Sequence, residues 1–312
     1  MKNTSQGLWI AGVIVSLVGA VCFSTKAIFV KLAYRDTDVD AVTLLALRML
    51  FSLPFFTLSA WVYSSKENNV RFTGSEWAYV ALIGCLGYYI SSLLDFTGLQ
   101  FVSAGIERLI LFIYPTFVLL ISSVWFKQKI YPRQWLAVAI TYAGLLIAFL
   151  SEARIQAGPG FIKGSLLILS CAFTYATYIV GSGKLIPKVG AMKFNSYAMS
   201  FASAGVLVHF LLFSEVSLLG LPATVYMYSL LMALLSTVIP SYLVSASIKR
   251  LGANNTAIIA SVGPVSTILQ AYLFLGESIT LLQLAGTFLI LIGVLIISWR
   301  QAAPMAQKES LP

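Results

Sequence analysis

Long apolar runs separated by short polar loops dominate the chain. Ten such runs can be marked, and each has enough residues, at about 1.5 Å of rise per residue, to cross a hydrocarbon core roughly 30 Å thick. They cover residues 8–30, 41–63, 77–98, 104–126, 134–151, 161–181, 195–214, 224–247, 253–275 and 281–299. Because a bilayer offers no hydrogen-bond partners to exposed backbone groups, each run is expected to be an α-helix. The pattern predicts an all-α membrane protein with ten transmembrane helices.

The fourth run contains two features that insertion into a membrane does not require. Glu107 stands near its start, and Tyr114-Pro115 stands in its middle. In a helix Glu107, Leu111 and Tyr114 share one face, since they are four and three residues apart. Proline has no backbone N–H, so Pro115 leaves a carbonyl near Leu111 without its helical donor. The sequence predicts an interrupted helix with polar groups on one side.

An internal repeat relates this run to the ninth. A shift of 149 residues places Pro264 on Pro115 and continues without a gap through the following run. The matching pairs include Ala104 with Ala253, Gln134 with Gln283, and Gly144 with Gly293. Five runs per half is an odd number, so the second half enters the membrane in the opposite sense. We expect two inverted five-helix repeats, residues 1–152 and 153–312, the second ending in a short tail.

Composition agrees with a membrane protein. Hydrophobic residues make up 59% of the 312 positions and charged residues only 10%, with a mean hydropathy of +0.90. Soluble domains have about 25% charged residues. A net charge of +9 is also typical of nucleic-acid-binding proteins, but here the basic residues are scattered over short loops. The expected surroundings are the lipid bilayer, and no nucleic-acid partner is expected.

The loop charges also predict orientation. If the N-terminus is cytoplasmic, loops on that side hold thirteen of the 20 Lys and Arg residues and loops on the other side hold five. The remaining two, Lys26 and Arg48, lie within apolar runs. Cytoplasmic loops are generally enriched in Lys and Arg. We therefore expect a multi-pass protein of the cell (inner) membrane with both termini in the cytoplasm.

Five charged residues fall within or at the edges of the first four runs: Lys26, Arg48, Asp95, Glu107 and Arg108. In the predicted topology all five lie in the outer half of the membrane. A charged residue at a helix centre costs about 2.5–3.5 kcal/mol on insertion scales, so such residues usually serve a function. The alternative is a structural ion-pair network, for example Asp95 with Arg108 across the turn at residues 98–103.

Tyrosines and the two helix breaks complete the candidate site. Tyr88 lies on the same helical stripe as Asp95, with serines between them. Aromatic residues in a bundle either contact a ligand or simply pack, and the sequence leaves both readings open. The predicted substrate-binding residues are Lys26, Arg48, Tyr88, Asp95, Glu107, Tyr114, Pro115, Tyr242 and Pro264.

Several segments together resemble a known family. They are Arg48 within LLALRMLFSLP, the fourth run with Pro115, and LGESITLLQLAGTFLILIGVLII over residues 275–297. With two five-helix halves, they resemble the EamA type of the drug/metabolite transporter superfamily. The first half departs from the family pattern, because Lys127-Gln128 replaces Gly276-Glu277. The resemblance implies a ten-helix bundle with a central cavity, and export or exchange of small metabolites, often amino acids.

Two classes of function remain in competition. A secondary transporter exporting or exchanging small metabolites, amino acids or related amphipathic compounds, by alternating access fits the paired helix breaks. The alternative is a membrane-embedded transferase, which would normally cluster His, Cys or acidic residues for catalysis. One His and three scattered Cys give no such cluster, so no enzyme, metal or cofactor is expected. The sequence leaves open the substrate, the direction, the coupling ion and the oligomeric state.

Overall fold

The computed structural model describes residues 2–65, 69–125, 127, 129–156, 158–251, 259 and 262–299. These residues form helices joined by short connections, and they contain no β-strand. The predicted all-α class is therefore confirmed for the described part of the chain. The three cysteines, Cys22, Cys85 and Cys171, are free thiols.

The described residues of the first half form seven α-helices: α1 (Lys2–Asp36), α2 (Ala41–Ser64), α3 (Gly74–Gly84), α4 (Ser91–Gly98), α5 (Ala104–Leu111), α6 (Tyr114–Trp125) and α7 (Pro132–Gln156). A π-helical segment, Cys85–Ile90, joins α3 to α4. Side-chain caps begin several of these helices. The Asp40 carboxylate accepts from the first turn of α2, and the Ser103 hydroxyl accepts from the Ile106 N–H in α5. These caps satisfy N–H groups that have no partner within the helix.

The second half contains α8 (Phe161–Ser182), α9 (Ile186–Val189), α10 (Ala191–Phe213), α11 (Ala223–Ala233), α12 (Ile239–Leu251), α13 (Gly263–Gln270) and α14 (Leu281–Trp299). Two further π-helical segments occur here. Leu234–Val238 joins α11 to α12, and Ala271–Leu275 continues α13. The first π-helical segments of the two halves begin at Cys85 and Leu234, which are separated by the same 149 residues as the sequence repeat.

Eight helices among the described residues are long and apolar enough to span a membrane. They correspond to the first eight predicted runs. Two shorter apolar helices, Gly263–Leu275 and Leu281–Gly293, lie in the last two runs. The start of the predicted ninth run, from residue 253, lies largely outside the described residues. The chain is thus a multi-pass membrane protein by the length and apolarity of its helices.

The predicted interruption of the fourth run is confirmed. Helix α5 ends at Leu111 and α6 begins at Tyr114, with Phe112 and Ile113 forming a turn. Pro115 occupies the first turn of α6, where its missing N–H costs nothing within the helix. The break therefore precedes the proline by two residues, and the two helices can differ in direction.

Helices α7 and α14 pack against each other in antiparallel directions through small residues. A Cβ on Gly286 would stand 2.5 Å from the Gly144 carbonyl oxygen, and a Cβ on Gly293 would stand 2.7 Å from that of Ala137. Backbones this close require glycine, a device common between membrane helices. A shift of 149 residues exchanges the two contacts, since it carries Gly144 to Gly293 and Ala137 to Gly286.

Helix α1 packs against α11, α12 and α13. Helix α8 takes a corresponding place against α4, α5 and α6, and α2 packs along α10. The largest hydrophobic cluster joins α1, α2 and α4 to α10 and α11 through fully buried residues such as Leu44, Phe96 and Met232. This packing brings the polar residues of α1, α2, α4 and α5 together.

Candidate functional site

A buried cluster of three charged residues lies where α1, α4 and α5 meet. Lys26 Nζ donates to Asp95 Oδ2 at 2.6 Å and to Glu107 Oε1 at 2.9 Å. Asp95 is 2% exposed and Glu107 is 0% exposed, whereas Lys26 is 13% exposed. The short turn after α4 brings the two carboxylates together, and Glu107 lies in the first turn of α5, where the helix dipole favours a negative charge.

The sequence left open an ion pair of Asp95 with Arg108, and the structure shows a different partner for Asp95. Its partner is Lys26 of α1, and no ion pair between Asp95 and Arg108 occurs among the described residues. The Arg108 guanidinium instead approaches α13, where one of its nitrogens would lie 2.5 Å from a Cβ added to Gly263. Gly263 therefore leaves space for Arg108 at the edge of the second half.

Arg48 contributes a second buried cation from α2. It is 4% exposed, its Nε donates to the Thr237 hydroxyl at 2.9 Å, and its guanidinium lies 5.3 Å from the centre of the Phe96 ring. Phe96 follows Asp95 on α4, so the guanidinium lies beside the same helix as the carboxylate. Arg48 Nη1 is buried and makes no hydrogen bond to any described residue. A buried donor of this kind is suited to an anionic group.

Tyrosines form a ring cluster next to these charges. Tyr88 packs edge-on against Tyr178, with ring centres 4.9 Å apart, and its hydroxyl donates to Asn195 Oδ1 at 3.2 Å. Tyr175 connects the two predicted tyrosines, since its ring centre lies 6.4 Å from that of Tyr88 and 5.3 Å from that of Tyr114. The structure therefore joins Tyr88 and Tyr114 through residues of α8.

The start of α13 contacts α1. The Ser24 hydroxyl donates to the Gly263 carbonyl at 3.0 Å, two residues before Lys26 on α1. Pro264 is buried at the first turn of α13, and Pro115 is half-buried at the start of α6. Tyr242 belongs to a different region, because its hydroxyl donates to the Phe55 carbonyl and its ring stacks with Phe56.

Glu277 has a role that the sequence did not predict. Its carboxylate accepts from the backbone N–H groups of Ala104 at 2.9 Å and Gly105 at 3.2 Å, and so caps the N-terminus of α5 from the second half of the chain. Gly105 leaves space for the side-chain amide of Gln283, since a Cβ there would stand 2.6 Å from Gln283 Nε2. Glu277 also borders a cavity of about 430 Å³ whose wall includes Lys31, Arg35 and Ser103.

Three hydrogen bonds and one ring contact were missed because their residues look ordinary in the sequence: Ser24, Thr237, Asn195 and Tyr175 each lie within an apolar run. A hydroxyl or amide in a membrane helix commonly bonds its own backbone, so its presence alone does not identify a site. Asn195 had the strongest signal, since an amide in an apolar run is costly to bury without partners.

Comparisons with known proteins match one family along nearly the whole chain. A model of the EamA-like transporter family matches residues 10–150 and again residues 162–299. The uncharacterized transporter YcbK of Bacillus subtilis is 32% identical over 292 residues, which cover 91% of this chain and 92% of that protein. A probable amino-acid metabolite efflux pump of Salmonella typhimurium is 24% identical over 201 residues, covering 62% of this chain and 67% of that protein.

A solved crystal structure has a similar fold, with a TM-score of 0.63 over 96% of this chain and 99% of the other, at 17% identity. The double match to one family model and the similarity to YcbK over 91% of this chain agree with a multi-pass bundle of apolar helices. The chain belongs to the EamA-like transporter family.

Proposed function

We propose that this protein is a secondary transporter that exports or exchanges amino acids or related small amphipathic metabolites by alternating access. The observation that carries the proposal is the buried cluster of Lys26, Asp95 and Glu107 inside a bundle of apolar helices. Buried charges are expensive in a membrane and commonly mark a substrate or ion pathway. The Salmonella typhimurium relative, a probable amino-acid metabolite efflux pump, supports the same substrate class.

A ten-helix bundle of two inverted repeats, residues 1–152 and 153–312, is the architecture we propose. Three observations support it. The family model matches the chain twice, π-helical segments begin at Cys85 and Leu234, and left-handed backbone occurs at both Lys127 and Gly276. Cys85 and Leu234 are 149 residues apart, and so are Lys127 and Gly276. The antiparallel contact of α7 with α14 is also what an inverted repeat requires of equivalent helices.

The proposed setting is the cell (inner) membrane with both termini in the cytoplasm. The excess of Lys and Arg in the loops on one side supports this orientation. We further propose that the protein has no catalytic centre, because the relatives named above are transporters.

The site suits a zwitterion. Asp95 and Glu107 provide negative charge for an ammonium group, while Arg48 Nη1 provides a buried donor for a carboxylate. The rest of the substrate would lie against Tyr88, Tyr114 and the helix break at Pro115. Pro264 and the Gly263 carbonyl would form the facing wall. Tyr242 lies on α12, and its ring stacks with that of Phe56 on α2. It is proposed to lie on the substrate path at that level of α2.

The test is a transport panel in proteoliposomes with radiolabelled amino acids, nucleobases, sugars and lipophilic cations. We expect transport of amino acids and its loss in Arg48→Ala, with a smaller reduction in Pro115→Ala. Transport confined to uncharged or purely cationic compounds, and unaffected by Arg48→Ala, would exclude the zwitterion site and leave the transporter assignment in place. No transport of any compound in the panel would count against the proposed function itself.

A further inference from the structure

The charged cluster has spare capacity for hydrogen bonds. Lys26 uses one oxygen of each carboxylate, Asp95 Oδ2 and Glu107 Oε1. The other oxygens, Asp95 Oδ1 and Glu107 Oε2, are buried and have no hydrogen-bond partner among the described residues. A carboxylate can accept several hydrogen bonds, and buried acceptors are normally satisfied. The two carboxylates therefore form a site for an ammonium group that Lys26 fills only in part.

Lys26 is placed so that it can leave this site. The carboxylates come from α4 and α5, which are adjacent in the chain, whereas Lys26 comes from α1. Lys26 is also the most exposed of the three side chains. A lysine ammonium sits on a flexible four-carbon stem. The cation can thus move away without separating the two carboxylates.

Charge explains why the empty protein needs Lys26 there. Two carboxylates at 0–2% exposure, with no cation nearby, would be strongly unfavourable inside a membrane bundle. Lys26 compensates one of the two charges and leaves the cluster at net −1 when all three groups are ionised. Arg48 and Arg108 also act electrostatically on the carboxylates, but neither forms an ion pair with them among the described residues, so the unused carboxylate oxygens are left for another N–H donor.

We propose that Asp95 and Glu107 bind the ammonium group of a zwitterionic substrate, and that Lys26 occupies the same site as a tethered substitute when no substrate is bound. This inference rests on the proposed transport of amino-acid-like compounds. Substrate binding then replaces one ammonium by another, and the buried Arg48 Nη1 takes the substrate carboxylate. With Lys26 in the site, the empty protein can change conformation without exposing a bare pair of carboxylates.

The inference predicts that Lys26 matters more for net efflux than for exchange. Net efflux requires the empty protein to return, whereas exchange needs only the loaded protein to move in both directions. In Lys26→Met the side chain keeps its length and loses its charge. We expect net efflux of a radiolabelled mixture of L-amino acids to fall about tenfold or more, and exchange against the unlabelled mixture to fall no more than about threefold. Equal losses in both modes would overturn the inference, because a merely structural ion pair affects both alike.

A second measurement does not depend on transport. In Lys26→Ala, free methylammonium can occupy the space left by the lysine ammonium. We expect saturating methylammonium to raise the melting temperature of this variant by about 3 °C or more, while the parent protein is unaffected. Tetramethylammonium, which has no N–H donor, is the matched control ligand. The double variant Lys26→Ala/Glu107→Gln is the matched control protein, and both controls should show no shift.

A charge-retaining variant covers the case in which Lys26→Met and Lys26→Ala do not fold. Lys26→Arg keeps a cation between the carboxylates and offers them a forked set of donors, which holds both more firmly. We expect the protein to fold and the half-saturating substrate concentration to rise about tenfold. An unchanged half-saturating concentration would contradict displacement of residue 26 by the substrate.

The outcomes distinguish this inference from the proposed function. Stabilisation of Lys26→Ala by methylammonium, together with a parent that transports no amino acid, would support the ammonium site and reject the proposed substrate class. Transport by the parent without any methylammonium effect in a folded Lys26→Ala protein would support the transporter and overturn the tethered substitute.

Discussion

At the scale of single residues, Glu107 shows how burial and charge act together. Its carboxylate is fully buried, yet only one of its oxygens is bonded to Lys26. A structural ion pair would be expected to use the buried acceptors more completely. The unused oxygen therefore favours a role in binding over a role in folding alone.

Replacement of Glu107 by glutamine tests this role. Glu107→Gln keeps the shape and one carbonyl acceptor, and it changes the cluster from net −1 to neutral, with Lys26 still paired with Asp95. We expect transport to fall about tenfold or more and the melting temperature to change by no more than about 3 °C. Glu215→Gln, an exposed loop residue, is the matched control and should transport normally. Normal transport by Glu107→Gln would make Glu107 a structural residue.

Two residues with left-handed backbone, Lys127 and Gly276, test local backbone strain. Lys127 has φ +53° and Gly276 has φ +69°, and no neighbouring atom lies within 4 Å of a Cβ added to Gly276. A residue with a Cβ is disfavoured in this left-handed conformation. We expect Lys127→Gly to stabilise the protein by about 1 kcal/mol and Gly276→Ala to destabilise it by about 1 kcal/mol in thermal unfolding. Changes of the same sign in the free energy of unfolding of both variants would contradict this explanation.

At the scale of elements, α7 and α14 show how closely two helix backbones approach. Their contact depends on glycines that let one backbone approach the other, and two such contacts are exchanged by the 149-residue shift. Without a hydrophobic driving force in lipid, close packing of this kind is a main source of helix association. The contact is therefore expected to be sensitive to a single methyl group.

Gly286→Ala tests that sensitivity. The added Cβ would lie 2.5 Å from the Gly144 carbonyl oxygen and 2.8 Å from the Ala148 Cβ, so the helices must separate. We expect a loss of about 1–3 kcal/mol, measured by thermal unfolding. Gly74→Ala is the matched control, because no neighbouring atom lies within 4 Å of a Cβ at that position, and it should be neutral or stabilising. An unchanged free energy of unfolding in Gly286→Ala would mean that the two helices separate without a loss of stability.

The cap that Glu277 places on α5 is a second feature at this scale. It links the end of the α13 region to the start of the helix that carries Glu107. Glu277→Ala removes acceptors from two N–H groups, and we expect a loss of about 1–2 kcal/mol in thermal unfolding. Glu277→Gln, which keeps one acceptor oxygen, should lose less. Equal losses in the two variants would show that hydrogen bonding is not what Glu277 contributes.

At the scale of the whole molecule, the charge distribution of the loops predicts one orientation. For an even number of spans, the thirteen-to-five division of loop Lys and Arg residues predicts both termini in the cytoplasm. Pro312 lies outside the described residues, and the prediction rests on the loop sequences. A reporter that is active only in the cytoplasm, fused after Pro312, should be active. An inactive reporter, with a fusion of the opposite type active, would reverse the orientation.

The sequence by itself determined the features that depend on neighbouring residues. Apolar runs long enough to span a bilayer gave the helices, because backbone groups in lipid must bond within the same segment. Pro115 gave the interruption of the fourth run, because proline lacks a donor wherever it occurs. The presence of Lys26 and Glu107 in apolar runs identified them as unusual before any fold was known.

Only the tertiary structure decided which of these groups meet. Lys26 lies 69 residues from Asp95 and 81 from Glu107, and its choice over Arg108 as their partner follows from the packing of α1 against the other helices. Tyr175 and Glu277 joined the site for the same reason, since each reaches it from the other half of the chain. Helical periodicity fixes the face on which a side chain lies, but the helix opposite that face is set by contacts between distant segments.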